Sequence, residues 1–287
     1  MSTVPKPTVV CVLGMHRSGT SLVTRLLNLL GVELGPVDHL VKPAADNPKG
    51  FWEHEYLFRI NKRILIQLGG HSHEPPVFSA NWESGPEMEP LRERAREIIS
   101  EDFAGAEIWG WKDPRTSLTL RFWQQIVPAM HYVICIRNPV AVAQSLQRRD
   151  NLSPLRGMYL WLAYMQAALR DTAGQSRIIV IYDDLLDDCQ RELERLSAFI
   201  GRREQAVNPE TREAARDFVD TGLRHHTRRP IDAMHPAQLP EVPPKLLALT
   251  EQIYACLERE KELFPQEEID GLLRAALALV PPHNAHD

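Results

Sequence analysis

Residues 14–21, Gly-Met-His-Arg-Ser-Gly-Thr-Ser, place two glycines, three hydroxyls and one arginine in one stretch, directly after an apolar run. A glycine pair spaced like Gly14 and Gly19, between a strand and a helix, is the layout of a loop that wraps backbone N–H groups around a phosphate. Gly14 permits a sharp exit from the strand and Gly19 a close backbone approach at the helix start. The N–H groups of residues 17–21 then point at an anion, aided by the helix dipole. Ser18, Thr20 and Ser21 add hydroxyl donors. Nucleotide triphosphatases carry a lysine directly after the second glycine for the β- and γ-phosphates, with a magnesium ion. Here Thr20 stands in that place, and the charge comes from Arg17 inside the loop, with a planar fork of donors. The chemistry suits a terminal phosphate.

A second anion site is spelled by "ICIRNPVAVAQSLQRR", where Arg137 closes an apolar run and Ser145 follows eight residues later. Pro139 suits a first helical turn. Residues 137 and 145 then lie about two turns apart near one helix face, so both can meet one phosphate. "EIWGWKD" delivers Lys112 and Asp113 at the end of another apolar run, and "RIIVIYDD" delivers Tyr182 and Asp183 at the end of a fourth.

These residues need a scaffold that gathers strand ends. The runs near 8–14, 107–113, 131–138 and 177–184 are rich in Val and Ile and uninterrupted, as in strands buried on both faces. Helical patterns at 19–30, 54–68, 88–103, 117–127, 139–149, 155–172, 188–200 and 244–261 separate or follow them. The alternation predicts an α/β fold, a parallel sheet with helices on both faces and ligands collecting at the carboxyl ends of the strands. The glycine loop resembles a phosphate loop, which implies a P-loop-like sheet, and helical lid segments are expected beside it. Residues 31–53 and 70–87, rich in Pro, Gly, Asn and Asp, read as long functional loops. One domain is expected over 8–265, with 266–287 a C-terminal helix and frayed tail.

"HRSGTSL" resembles the 5′-phosphosulfate loop of sulfotransferases that use 3′-phosphoadenosine 5′-phosphosulfate (PAPS) and release adenosine 3′,5′-bisphosphate (PAP). Cytosolic members carry Lys-Ser-Gly-Thr there; tyrosylprotein and many bacterial members carry Arg-Ser-Gly-Thr. The resemblance implies that Arg17, Ser18, Gly19, Thr20 and Ser21 hold the 5′-phosphate and that Arg137 and Ser145 hold the 3′-phosphate. "IVIYDDLL" resembles the family's Tyr-Glu-Asp-Leu element, which places Tyr182 at the adenine. "GLRHHTRR" resembles the late basic segment that closes over the 3′-phosphate, with Arg224 the preferred ligand, ahead of His225. The chain departs from cytosolic members at two points: Ser21 and Leu22 follow the loop where a stacking tryptophan is found, and Pro114 holds the place of the catalytic histidine.

The implied activity is transfer of a sulfuryl group to an acceptor hydroxyl on a small molecule or glycan (sugar, lipid, phenol). Arg17 and Lys112 would stabilise the charge that develops on bond breaking. A base must come from elsewhere. "NPKGFW" resembles a loop of bacterial members, and Glu53 directly after it is the candidate, with His54 and then Asp113 in reserve. Phe51 and Trp52 flank Glu53 and can raise its pKa above the free value of about 4.3; its alternative role is to cap the helix that follows.

Composition narrows the partners. A net charge of −5 argues against broad nucleic-acid binding. No apolar run approaches the roughly 20 residues of a membrane span, and "MSTVPKPTVV" lacks the features of a signal peptide, so a cytoplasmic location is expected. The four cysteines form no C-x-x-C pair and read as free thiols. "HSHEPP" at 71–76 and His225–His226 lack correctly spaced partners, so no metal site is expected. Two other functions fit parts of the pattern. A magnesium-dependent kinase or NTPase would use Asp183 as its metal partner. A catalytically inactive nucleotide-binding module would keep the donor site and lack a competent base.

Overall fold

The computed structural model describes residues 6–44, 47, 49–220, 239, 241–259 and 265–280. Strands β1 (Thr8–Gly14), β2 (Ile108–Lys112), β3 (His131–Ile136) and β4 (Arg177–Ile181) form one parallel sheet in the order β2-β1-β3-β4. Val12 of the central strand β1 pairs with Lys112 on one side and Val133 on the other. The register sets Gly14, Lys112 and Ile136 at one edge of the sheet, the carboxyl edge foreseen for ligands.

Alternate residues of each strand face opposite sides, so each uninterrupted apolar run serves two cores. Cys11, Leu13, Trp111, Ile134 and Ile181 face a core built with α2 (Glu55–Gln67), α3 (Glu89–Asp102), α4 (Thr116–Gln124), α5 (Pro139–Asp150) and α6 (Pro154–Asp171). Val10, Val12, Val133, Cys135 and Val180 face the other, built with α1 (Thr20–Leu29), α7 (Tyr182–Asp187), α8 (Cys189–Phe199), α9 (Arg203–Val207) and α10 (Pro209–Asp220). Helices α11 (Pro244–Arg259) and α12 (Gln266–Leu277) add Leu246, Ile253, Ile269 and Leu273 to the first core. No disulfide joins the four cysteines. No helix among the described residues is long and apolar enough to cross a membrane.

Three helices, α7, α9 and α10, were not foreseen. The fourth apolar run was expected to stay extended to residue 184, but the chain turns helical at Tyr182 with no intervening loop. Helix α10, "PETREAARDFVD", is half charged and offers Ala215 and Val219 to the core, too few apolar positions for its period to stand out. The long loop 31–53 is less open than its composition suggests. Glu33 bonds to β2 through Glu33 N–H to Ile108 O (3.1 Å) and Gly110 N–H to Glu33 O (2.9 Å), Val37–His39 is a 3-10 turn, and Leu40 bridges His54.

One buried polar residue ties α2 to the end of β2. Asn61, fully buried, donates through Nδ2 to Asp113 Oδ2 and Thr116 Oγ1, both at 2.9 Å, and accepts at Oδ1 from Thr119 Oγ1 (2.6 Å) and Trp123 Nε1 (2.7 Å). All four hydrogen-bonding sites of the amide, two donors and two lone pairs, are used. Replacing it takes one partner from a carboxylate, two hydroxyls and an indole N–H in a buried layer. The Asn61→Leu substitution is expected to cost about 3 kcal/mol or more, measured as the shift in the urea unfolding curve; a loss below about 1 kcal/mol would show that the network is not structural.

Candidate functional site

The first loop leaves β1 through Gly14 at φ 140° and enters α1 through Gly19 at φ 83°. A Cβ at Gly14 would lie 2.5 Å from the Cys135 carbonyl oxygen, and one at Gly19 would lie 2.3 Å from Cδ2 of Tyr182. Both positions therefore require glycine. Arg17 also takes a positive φ of 68°, a conformation that costs a side-chain-bearing residue about 1–2 kcal/mol. The neighbours hold it there: Arg137 Nη1 donates to the Arg17 carbonyl (3.0 Å), and Arg17 Nε donates to Ser145 Oγ (2.9 Å). The Arg137 guanidinium sits 4.6 Å from the centre of the Tyr182 ring, and Tyr182 packs on Gly19. The loop, the end of β3, helix α5 and the end of β4 thus meet as one constellation, joining residues far apart in sequence.

Helix α1 has no side-chain N-cap, so its first-turn N–H groups are left for an anion. Ser18 Oγ, within the loop, is buried and has no hydrogen-bond partner. These unspent donors are what a phosphate group would satisfy, and the residues present fit one.

The second constellation surrounds Lys112, the last residue of β2. Its Nζ donates to Glu53 Oε1 at 2.5 Å and to Ser21 Oγ at 3.2 Å, with the lysine side chain 1% and the glutamate side chain 9% exposed. Ser21 Oγ donates in turn to the Phe51 carbonyl (3.1 Å). Trp52 takes φ 57° directly before Glu53, turning the chain so that the carboxylate faces the lysine. Glu53 does not cap the next helix; His54 occupies the N-cap of α2, with no side-chain capping bond. Burial pushes the Glu53 carboxyl above its ordinary range, and the Lys112 ammonium opposes that shift.

Both constellations line one cavity of about 550 Å³. Arg17, Gly19, Thr20, Ser21, Glu53, Lys112, Arg137 and Tyr182 reach it. Of the three base candidates, Glu53 alone lines the cavity among the described residues. Asp113 is held off it by Asn61 and by Arg115 Nη1 at 2.8 Å. His54 is turned to Asp102 (2.9 Å), and burial lowers its imidazole pKa. Asp183 accepts from the Tyr254 hydroxyl at 3.2 Å and does not line the cavity. Arg224, His225 and His226 lie outside the described residues.

The cavity also holds residues outside the expected site: His16, Lys49, Arg115, Arg149 and Phe218, and His73, whose "HSHEPP" segment reads as loop rather than as a metal site. Burial, with Arg115 and Arg149 adding to it, holds His16 well below the ordinary imidazole range, so it is neutral, and its Nε2 has no partner. Its place directly before Arg17 was a readable signal. Lys49 donates to the Phe218 carbonyl and lies 4.9 Å from that ring's centre, a contact that depends on the unforeseen α10.

A profile described as "Sulfotransferase family" matches residues 7–206 of this chain. Among solved structures, the sulfotransferase domain from the Synechococcus PCC 7002 olefin synthase is similar at 19% identity, covering 89% of this chain and 96% of that one, with a TM-score of 0.44. The sulfotransferase domain from the curacin biosynthetic pathway is similar at 13% identity, covering 72% and 80%, with a TM-score of 0.41. No curated protein sequence matches.

Removing one member of a buried ion pair leaves the other charge uncompensated, which costs about 3–5 kcal/mol. Lys112→Met is expected to lose stability on that scale, and Lys112→Met with Glu53→Gln to recover most of it. Urea unfolding of the parent, both single variants and the double variant gives the coupling; additive losses would show that the two side chains do not depend on each other.

Proposed function

The chain belongs to the sulfotransferase family, and on that premise we propose that it moves a sulfuryl group from PAPS to the hydroxyl of a small-molecule or glycan acceptor, releasing PAP. The observation that carries this reading is the meeting of two distant motifs at one cavity: Arg17 bonds to Ser145, and Arg137 bonds to the Arg17 carbonyl. A donor with phosphates at both its 5′ and 3′ positions needs two anion sites on one rigid unit. PAPS, when bound, supplies a sulfuryl group activated by its anhydride bond to the 5′-phosphate.

In this reading the loop from Arg17 to Ser21 and the N-terminus of α1 bind the 5′-phosphate, with Ser18 Oγ a ready donor. Arg137 and Ser145 bind the 3′-phosphate, and Tyr182, packed between Arg137 and Gly19, fixes the wall beside them. Glu53 takes the acceptor hydroxyl's proton as the new O–S bond forms. Protonation of Glu53 loosens its hold on Lys112, and the ammonium is then available to the negative charge that builds on the departing 5′-phosphate oxygen. Cationic side chains suffice for this step, because a sulfuryl group carries less charge than a phosphoryl dianion; in this reading Arg17 and Lys112 take that role.

Two measurements test the reading. A ligand at 100 times its Kd adds about 2.7 kcal/mol of stability, so PAP is expected to raise Tm without magnesium and 5′-AMP to raise it much less. Arg137→Ala is expected to erase the difference between the two. A rise seen only with Mg-ATP would overturn the assignment in favour of a kinase. With an acceptor in hand, Glu53→Gln is expected to lower kcat by about 10²–10⁴-fold while PAP affinity is kept. Turnover within a few-fold of the parent would remove Glu53 from the role of base.

A further inference from the structure

Outside the cavity, three titratable side chains from separate segments converge on one point. His39 ends the 3-10 turn Val37–His39, His54 directly precedes α2, and Asp102 is the last residue of α3. His39 Nδ1 and His54 Nε2 lie 2.8 and 2.9 Å from the same oxygen, Asp102 Oδ2. All three ligand atoms lie within 4.8 Å of one another. We infer that His39, His54 and Asp102 form a binding site for a late first-row divalent cation, zinc above all, that clamps the segment carrying Glu53 to the end of α3.

Two imidazoles and one carboxylate make a donor set suited to zinc rather than to calcium or magnesium, which take oxygen ligands. An ion about 2.0–2.2 Å from each atom in tetrahedral geometry sets the ligands roughly 3.3 Å apart, so the two His–Asp contacts would open by a few tenths of an ångström and the two nitrogens, within 4.8 Å of each other, would settle to that spacing. Gly35 keeps the space beside the ligating nitrogen clear. At φ 90°, a Cβ there would stand 2.9 Å from His54 Nε2 and 2.6 Å from its Cδ2. His54 Nε2 donates its proton to Asp102 while Nδ1 is buried without a partner; a cation on Nε2 would replace that proton and shift it to Nδ1. Tyr56 and Phe103 rings lie 4.8 Å from His39 and 5.5 Å from His54, giving the apolar surround that strengthens metal–ligand attraction. The His39 side chain is 32% exposed, which leaves an entry path and a place for water as fourth ligand.

The site sits where a clamp would matter. Leu40, next to His39, bridges His54, and Val41 N–H donates to the Glu53 carbonyl at 2.8 Å. An ion there would fix both ends of the segment that turns Glu53 toward Lys112.

The test uses the full chain stripped with a chelator and then dialysed against micromolar Zn²⁺, with bound zinc and Tm measured for the parent, His39→Ala and His71→Ala. His39 is partly exposed, so its alanine variant should fold; His71, an exposed loop imidazole, is the control. The expected result is about one more zinc per parent chain than per His39→Ala chain, a Tm rise of several degrees lost in His39→Ala and kept in His71→Ala. Asp102→Asn should show the same loss of zinc. Equal zinc content and equal Tm shift in the parent and His39→Ala, or no zinc uptake by the parent, would overturn the site and leave a plain hydrogen-bonded triad.

Discussion

Lys112 ends a strand whose two faces are both covered, so its ammonium emerges almost without access to water. A buried lysine stays charged only if an anion is brought to it. The segment from Glu33 to Glu53 is folded to do this. Glu33 extends the sheet beside β2, the 3-10 turn reverses the chain, the Leu40–His54 bridge returns it, and the positive φ of Trp52 aims Glu53 inward. The Asn61 network then pins α2 against α4 and the end of β2. Desolvating two charges costs several kcal/mol per ion, and a hydrophobic pair of the same volume would serve stability as well or better. The construction makes sense as a means of storing a cation and a carboxylate side by side at the cavity wall.

The first loop solves a related problem by different means. A loop that aims several N–H groups at one point must leave ordinary backbone space, and Gly14, Arg17 and Gly19 do so. Two of the three are glycines, which make the conformation at little cost. Arg17 cannot, and the guanidinium of Arg137 on its carbonyl and the Ser145 hydroxyl under its Nε compensate. The groups that brace the loop are the same ones proposed to meet the 3′-phosphate. Binding at one end of the donor site and the shape of the other end are therefore mechanically linked, through contacts that are local in space and remote in sequence.

How much of this was legible follows from the range of each signal. Strand ends are encoded locally: a β-branched run followed by Lys112, Arg137 or Tyr182 shows both the element and what it delivers, and all three reach the cavity. The spacing of Arg137 and Ser145 is likewise local, because about two turns of one helix set it. The choice among Glu53, His54 and Asp113 was not legible, since adjacent residues differ only in which way a loop turns them. Trp52 at φ 57° turns Glu53, and not its neighbour His54, toward the cavity, and no composition predicts that angle. Helix α10 escaped because its charged face outweighs its apolar one, and with it went the Lys49–Phe218 contact. The grouping of His39, His54 and Asp102 is invisible for a further reason: the three meet only after the sheet has placed α3 beside the 31–53 segment.

Net charge illustrates the limit from another side. The chain carries a formal charge of −5, yet the cavity is lined by Arg17, Lys49, Lys112, Arg115, Arg137 and Arg149, with Glu53 the one carboxylate among its described residues. A sum over the whole sequence excludes a broad basic surface and says nothing about one concave patch. Inside a cleft with low-dielectric walls the local cations dominate the potential, because field lines are focused there and distant surface carboxylates are screened within about 8–10 Å of solvent. An acidic exterior with a basic cleft repels extended polyanions on average and still admits a small one that reaches the mouth. On the proposed reading, that contrast would favour a compact anion over a polymer before any specific hydrogen bond is made.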